Sequence, residues 1–380
     1  LLLNAANWIF STLFLLIGHY FARWFAYPFV VKPTLRWLFV YYGAVALFVW
    51  WRPLWFRLVR PRWNKASRPV RGLALAAVAL AVAALFASGR AEEKAIRQAG
   101  QLSVSILSVG YGSGILIDAP DGTAILVDTA FVQTDRGRRN DAERTLMPHI
   151  CLKRIRKLDA LILTSPEPEH IAGAATILEH LDVDQLLHPA SLAPRLAEGE
   201  LAGVLAARPP SRLKHRLSGT AIEPRALVAG ERLFESEVNG KAFAVEVLGP
   251  ADGDAKAPLS LRVVYGDFAL LIASDLTFAQ QQDLLDNTPA SRLKAQVAVA
   301  PGHGTAGLEG ITIGMPKNYE RSITDITGEL LKKAKAEAVV FEFGNPRPVV
   351  GDKYKVAVKL HGAARRIVED LLTDARVLAT

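Results

Sequence analysis

Three uncharged stretches near the start limit what this chain can fold into. Residues 1–22 contain no Lys, Arg, Asp or Glu, and neither do residues 37–51 ("WLFVYYGAVALFVWW") or 72–89 ("GLALAAVALAVAALFASG"). At about 1.5 Å of rise per residue, an 18-residue stretch of this kind reaches roughly 27 Å, close to the ~30 Å of a bilayer's hydrocarbon core. Three spanning helices are the economical expectation, although the middle run, at 15 residues, also suits a buried helix of a large soluble domain. Tryptophan favours the membrane. All 7 Trp lie between Trp8 and Trp63, clustered at the ends of the apolar runs, as rings anchored at a membrane–water interface are. A cleaved signal peptide is not expected, because there are three runs and no basic stretch precedes the first. The chain opens on Leu1, not Met, so further residues are expected before it.

Charge divides the chain the same way. Residues 1–91 hold 11 Lys and Arg and no Asp or Glu; subtracting those 11 from the overall +8 leaves −3 for the remainder. The sequence pI near 9.5 therefore does not describe a basic soluble domain coated for nucleic acid, since the positive charge flanks helices. Seven of the 11 (Arg52, Arg57, Arg60, Arg62, Lys65, Arg68, Arg71) lie between the second and third runs. The positive-inside bias puts that loop in the cytoplasm and everything after Arg90 on the other side. The single Cys151 rules out an internal disulfide and is compatible with either compartment.

From Leu102 the pattern changes. "LSVSILSVGYGSGILIDAPDGTAILVDTA" is β-rich, with a glycine-rich turn inside it and a "PDG" hairpin signal. "RTLMPHICLKRI" reads as a helix, "LDALILTS" as a buried strand, "HIAGAATILEHL" as a helix and "VDQLLHP" as a strand. A second batch follows: strands in "AFAVEVLGP", "LSLRVVYGD" and "FALLIASD", the helix "TFAQQQDLLDN", the strand "AQVAVAP", the helix "SITDITGELLKKAKA" and the strand "AVVFEFG". Two batches of strands, each followed by helices, predict a four-layer αββα sandwich: two sheets face to face with helices outside.

The segments "LSVSILSVGYGSGILIDAPDGTAILVDTA", "KLDALILTSPEPEHIAGAATILEHL", "YGDFALLIASDL" and "VAVAPGHGT" resemble, in order and spacing, the landmarks of the metallo-β-lactamase-fold domain of ComEC-type DNA-internalisation proteins. "KPTLRWLFVYYGAVALFVWWRP" is similar to the last helices of that family's membrane domain. The resemblance implies a membrane region over residues 1–90 and a metallo-β-lactamase-like domain over 91–380. It also implies an inner-membrane protein of natural transformation that passes single-stranded DNA through a helical bundle, with an extracytoplasmic hydrolase-like domain. The partners implied are membrane lipid, single- or double-stranded DNA and other DNA-uptake proteins.

In its chemistry the sequence departs from the family. The family's metal loop reads roughly T-H-x-H/D-x-D-H, presenting imidazoles and carboxylates on one strand-to-helix turn so that two ions activate water and clamp a phosphate. Here Ser165 stands at the first His, Glu167 at the second ligand and Glu169 at the Asp, and His170 is unchanged. Ser108 and Ser113 replace the acids of the "D-V-G-Q-G-D" turn. "PGHG" keeps His303 but has Gly302 in place of the preceding His. Asp275 retains the family's bridging carboxylate position, and the closing histidine expected near "FEFGNPRP" is absent. Two readings stand. Glu167, Glu169, His170, Asp275 and His303 could still gather one weakly held ion, with carboxylate-rich ligation favouring Mg or Mn over Zn. Alternatively they are inherited positions used as caps and polar contacts, with Ser165 an N-cap for the helix behind it. The first makes the chain a membrane-anchored, metal-dependent phosphodiesterase or nuclease. The second makes it an inactive homologue that binds or scaffolds. A Ser165–His170–Asp275 triad is set aside, because no nucleophile elbow surrounds Ser165.

The remaining candidates are weaker. Gly110 and Gly112 in "GYGSG" read as a tight turn, not a phosphate cradle, because no helix follows them. By family resemblance, Asp128 in "VDTA" holds loops through backbone N–H groups. His149 and Cys151 are too few for a metal site and are expected to pack against the sheet. Arg136, Arg138 and Arg139 in "TDRGRRNDAER" are a solvated face by default, or contacts for phosphate.

Overall fold

The computed structural model describes residues 12, 35–54, 56, 60–65, 67–97, 100–109, 112–130, 132–133, 139–207, 222–249, 257–304, 317–342 and 376–379. The first apolar run lies outside these residues, apart from Thr12. The second forms the helix Leu35–Leu54. The third lies within the helix Arg68–Arg97, which runs past the domain boundary expected at residue 90. Among the described residues one window, Arg68–Leu85, is long and apolar enough to cross a membrane, and Trp37–Trp50 is a shorter apolar stretch. Large apolar side chains such as Phe39 (74%) and Phe48 (83%) are exposed.

The strands are β1 Ser103–Ile106, β2 Ile115–Asp118, β3 Ala124–Val127, β4 Val132–Gln133, β5 Arg139–Asn140, β6 Lys157–Ile162, β7 Asp182–His188, β8 Pro224–Ala226, β9 Arg232–Val238, β10 Lys241–Gly249, β11 Ser260–Tyr265, β12 Phe268–Ile272, β13 Val297–Val299, β14 Ala338–Phe341 and β15 Arg376–Ala379. They build a sheet in the order β1-β2-β3-β6-β7-β8, another in the order β15-β14-β13-β12-β11-β10-β9, and the small β4-β5 hairpin. The two large sheets share one plan. β1, β2 and β3 are antiparallel and β6, β7 and β8 then run parallel to β3. β9 to β12 are antiparallel and β13, β14 and β15 then run parallel to β12. Parallel neighbours need crossover connections; helices lie between β3 and β6, β6 and β7, β12 and β13, and β13 and β14.

Side-chain alternation makes the layers. Along β3, Ile125 and Val127 point into a core shared with Val245, Leu261, Val263 and Ile272 of the other sheet. Their neighbours Ala124 and Leu126 point outward against Ile150, Ile177 and Leu178 of the flanking helices. In β12, Leu270 and Ile272 face the same central core, while Ala269 and Leu271 meet Leu284, Leu285, Leu330 and Leu331. Strands covered on both faces explain the nearly continuous apolar runs in the sequence.

The connections follow local chemistry. The "PDG" turn joins β2 to β3, with Asp121 Oδ1 accepting from Thr123 N at 2.8 Å and Gly122 at φ 88°. The glycine-rich turn separates β1 from β2, with Leu107 N bonded to Gly114 O at 3.0 Å. Thr277 and Gln280 form a capping box at the helix Phe278–Asn287. Inside that layer Gln281 accepts at 2.8 Å from Thr327 of the helix Lys317–Ala334. The helix read from "HIAGAATILEHL" is two pieces, Pro168–Ile171 and Ala174–His180, with Gly173 between them. A Cβ at Gly173 would sit 2.0 Å from Thr129 O, so only glycine admits the approach. Where the chain enters the domain, Tyr265 donates to Gly100 O at 2.8 Å.

Candidate functional site

Asp128, Thr164, Ser274, Asp275 and Glu342 stand just past the last residues of β3, β6, β12 and β14. The carboxyl ends of parallel strands from both sheets thus converge, the usual place for a site in α/β architectures. Backbone strain collects there too. Asp128 (φ 60°), Ala130 (φ 67°) and Ser274 (φ 48°) adopt the left-handed conformation that non-glycine residues avoid.

His170, 1% exposed, is the centre. Its Nδ1 lies 2.8 Å from Asp128 Oδ2 and its Nε2 lies 2.6 Å from Asp275 Oδ2. Burial alone would drive the imidazole towards neutrality, but the Asp128 and Asp275 carboxylates outweigh it and hold its pKa well above the ordinary value. A carboxylate oxygen at each ring nitrogen favours the charged imidazolium, which can donate at both. Asp128 also accepts from Thr164 N at 2.7 Å and from Thr164 Oγ1 at 2.7 Å, and Thr164 Oγ1 is 2.6 Å from Ser274 Oγ. The His170 carbonyl accepts from Thr129 N and Thr129 Oγ1, which fixes the turn that carries the ring. Glu342 is buried beside this group, and Ser113 Oγ donates to its Oε1 at 3.2 Å. Burial first, then the negative charge of Asp128, pushes the Glu342 pKa up to about 8, so it is neutral at pH 7.

The sequence candidates fare differently. His170 and Asp275 meet directly. Glu167 and Glu169 are half-buried on the turn before and at the helix Pro168–Ile171. Ser165 is not that helix's N-cap. The cap is Glu167, and Ser165 Oγ instead closes a turn by accepting from Glu167 N at 3.3 Å. Nor does Ser165 face His170 as a nucleophile, since both ring nitrogens are taken by carboxylates. His303 lies in the helical turn Pro301–Gly304, which Gly302 N ties to Ser274 O at 2.9 Å; its side chain is outside the described residues. Gly110, Arg136 and Arg138 are outside them as well, as is the Arg139 side chain. Gly112 is at φ 121° in the turn before β2, and Cys151 is buried. Thr164, Ser274 and Glu342 went unseen in the sequence. The available signal was position, since each polar residue directly ends a buried apolar strand.

For a metal, this arrangement is a poor fit. A ligating imidazole must offer a lone pair, and His170 spends both nitrogens as donors to anions. Among the described residues no group of three or more His, Cys, Asp or Glu side chains is arranged to hold an ion. The site as built keeps one net negative charge: two carboxylates around one imidazolium, with a neutral acid alongside.

The profile of the metallo-beta-lactamase superfamily matches residues 107–341, and the chain belongs to that superfamily. Within it, the ComEC-type resemblance carried by the motifs has a counterpart: the chain is 26% identical over 216 residues to ComE operon protein 3 of Bacillus subtilis (strain 168). That match takes in 54% of this chain and 26% of the relative, so the chain spans about a quarter of its length. Among solved structures, a mutant of CmlA beta-hydroxylase is similar at 16% identity and TM-score 0.40, over 73% of this chain and 52% of that one. Igni18, a metallo hydrolase from the archaeon Ignicoccus hospitalis KIN4/I, is similar at 13% identity and TM-score 0.36, over 73% and 95%.

Proposed function

We propose that this chain acts in DNA internalisation at the bacterial inner membrane and that its metallo-β-lactamase-like domain binds or scaffolds without hydrolysing. The similarity to ComE operon protein 3 supports the uptake role. The distribution of basic residues in residues 1–91 supports an extracytoplasmic placement of the domain. The observation that carries the non-hydrolytic reading is the double engagement of His170 by Asp128 and Asp275. Hydrolysis of a phosphodiester in this fold needs an activated water, and metal ions supply it. Here the imidazole that would help hold an ion is itself the cation. Single- or double-stranded DNA and other uptake proteins are the partners of this reading.

The test is made on the purified chain in detergent after exhaustive dialysis. We expect well under one equivalent of Zn, Mn or Mg, a fluorescence-anisotropy signal with labelled oligonucleotides, and no cleavage of them with any of the three ions added. A full equivalent of metal that Asp275→Ala abolishes, together with metal-dependent cleavage, would replace this reading with a membrane-anchored nuclease.

A further inference from the structure

Between the two apolar helices among the described residues the chain forms a six-residue helix, Arg60–Lys65, none of whose residues is buried. Arg60, Arg62, Lys65 and the following Arg68 are exposed. The Arg60 guanidinium lies 5.2 Å from the centre of the Phe56 ring, which is itself 55% exposed. No Asp or Glu occurs in residues 1–91, so this stretch carries no countercharge of its own. A six-residue helix is about 9 Å long, comparable with the ~8–10 Å Debye length of physiological salt. The cations on it therefore attract an anionic surface jointly.

We propose that Arg60, Arg62, Lys65 and Arg68 bind the phosphate headgroups of anionic lipids. The assignment rests on the membrane reading of the flanking helices. Its location favours lipid over nucleic acid: the cluster begins six residues after Leu54 and ends where the apolar window Arg68–Leu85 begins. That is the depth at which headgroups meet two spanning helices. Arginine over an aromatic ring is suited to the same layer, with the ring towards the acyl boundary and the guanidinium towards phosphate. Basic residues beside spanning helices gain from anionic leaflets, by roughly fivefold in partitioning for each Lys or Arg near the surface.

The test uses the full chain reconstituted in vesicles of equal phosphatidylcholine and phosphatidylglycerol, extracted with its bound lipid and analysed by native mass spectrometry. The wild type is expected to retain phosphatidylglycerol at least about fivefold over phosphatidylcholine. The variant Arg60→Gln/Arg62→Gln/Lys65→Gln/Arg68→Gln, altered only at exposed positions, is expected to lose at least about fivefold of that preference. Flotation with pure phosphatidylcholine vesicles after carbonate washing reads insertion separately and should be the same for both proteins. A wild type without preference, or a variant that keeps it, overturns the assignment. So does displacement of the retained phosphatidylglycerol by a single-stranded oligonucleotide, which would give the cluster to nucleic acid. Failure of the wild type to float would instead remove the membrane reading, and this assignment with it.

Discussion

His170 Nε2 and Asp275 Oδ2 stand 2.6 Å apart although 105 positions separate the two residues in the sequence. One comes from the short helix Pro168–Ile171 that follows β6, the other from the end of β12, so their contact fastens the two sheets together at the site. With Asp128 on the opposite nitrogen at 2.8 Å, an imidazolium does the bridging.

Removing the ring should therefore be costly. His170→Gln leaves the buried Asp128 and the partly buried Asp275 without their cation, and breaking a buried pair from one side costs about 3–5 kcal/mol. All 7 Trp lie between Trp8 and Trp63, so tryptophan fluorescence reports the membrane region. Urea unfolding of the domain is better followed by hydrogen exchange over residues 102–342. A loss under about 1 kcal/mol would mean that the ion pairs carry little of the domain's stability.

Stability should fall as pH rises. Glu342 goes from its ordinary 4.5 to about 8 in the fold, so its contribution is fully present below pH 4.5 and is lost as pH rises through about 8. His170 is also raised, from 6.5; its contribution is complete below 6.5 and fades as pH climbs through its higher folded value. The two slopes have the same sign. Glu342→Gln keeps the neutral shape and removes one of them. At pH 8 it should be more stable than wild type by on the order of a few kcal/mol, with the difference vanishing near pH 4.5. A pH-independent difference would show that Glu342 is not held neutral in the fold.

Gly173→Ala should destabilise the domain severely although its backbone conformation is ordinary. The new Cβ would lie 2.0 Å from Thr129 O and 2.6 Å from Ala142 Cβ, and Thr129 anchors the His170 carbonyl. Overpacking of this kind costs about 1–3 kcal/mol or more. Gly203→Ala is the control. Its Cβ would meet nothing within 4 Å, and its helical position should gain about 0.5–1 kcal/mol. Thermal melts of the two variants should move in opposite directions.

Sidedness can be read by thiol labelling in intact cells. In a Cys151→Ala background, Asn64→Cys should resist a membrane-impermeant maleimide and Gln282→Cys should react. The reverse pattern would place the domain in the cytoplasm and end a role with incoming DNA.

The four-layer plan was legible because alternation in "AILV" and "FALLI" assigns successive side chains to opposite faces, both of them buried. The edge strand β9, "RLFESEV", was not. Only Leu233 on it is buried, so its polar residues mask the strand pattern. At the site, His170, Asp275 and Asp128 could be picked out from the motifs, but not their use. Whether a histidine ligates a metal or pairs with carboxylates depends on which side chains arrive from 42 and 105 positions away, and spacing within one loop does not encode that. Glu342 was hidden for a related reason: a carboxylate after "AVVF" reads as solvent-facing until Asp128 and Ser113 are seen beside it.

The hydrogen bond from Tyr265 to Gly100 sets the direction of approach to the domain. Tyr265 pairs with Phe268, the first residue of β12, whereas Asp275 follows that strand's far end. Five residues of strand separate the two by roughly 17 Å. β1 starts at the same pole, since Ser103 lies across from Asp118 and Asp118 across from Ala124, where β3 begins. The tether is thus at one pole of the sandwich and the His170 cluster at the other. A molecule reaching for the cluster comes from the side away from Gly100.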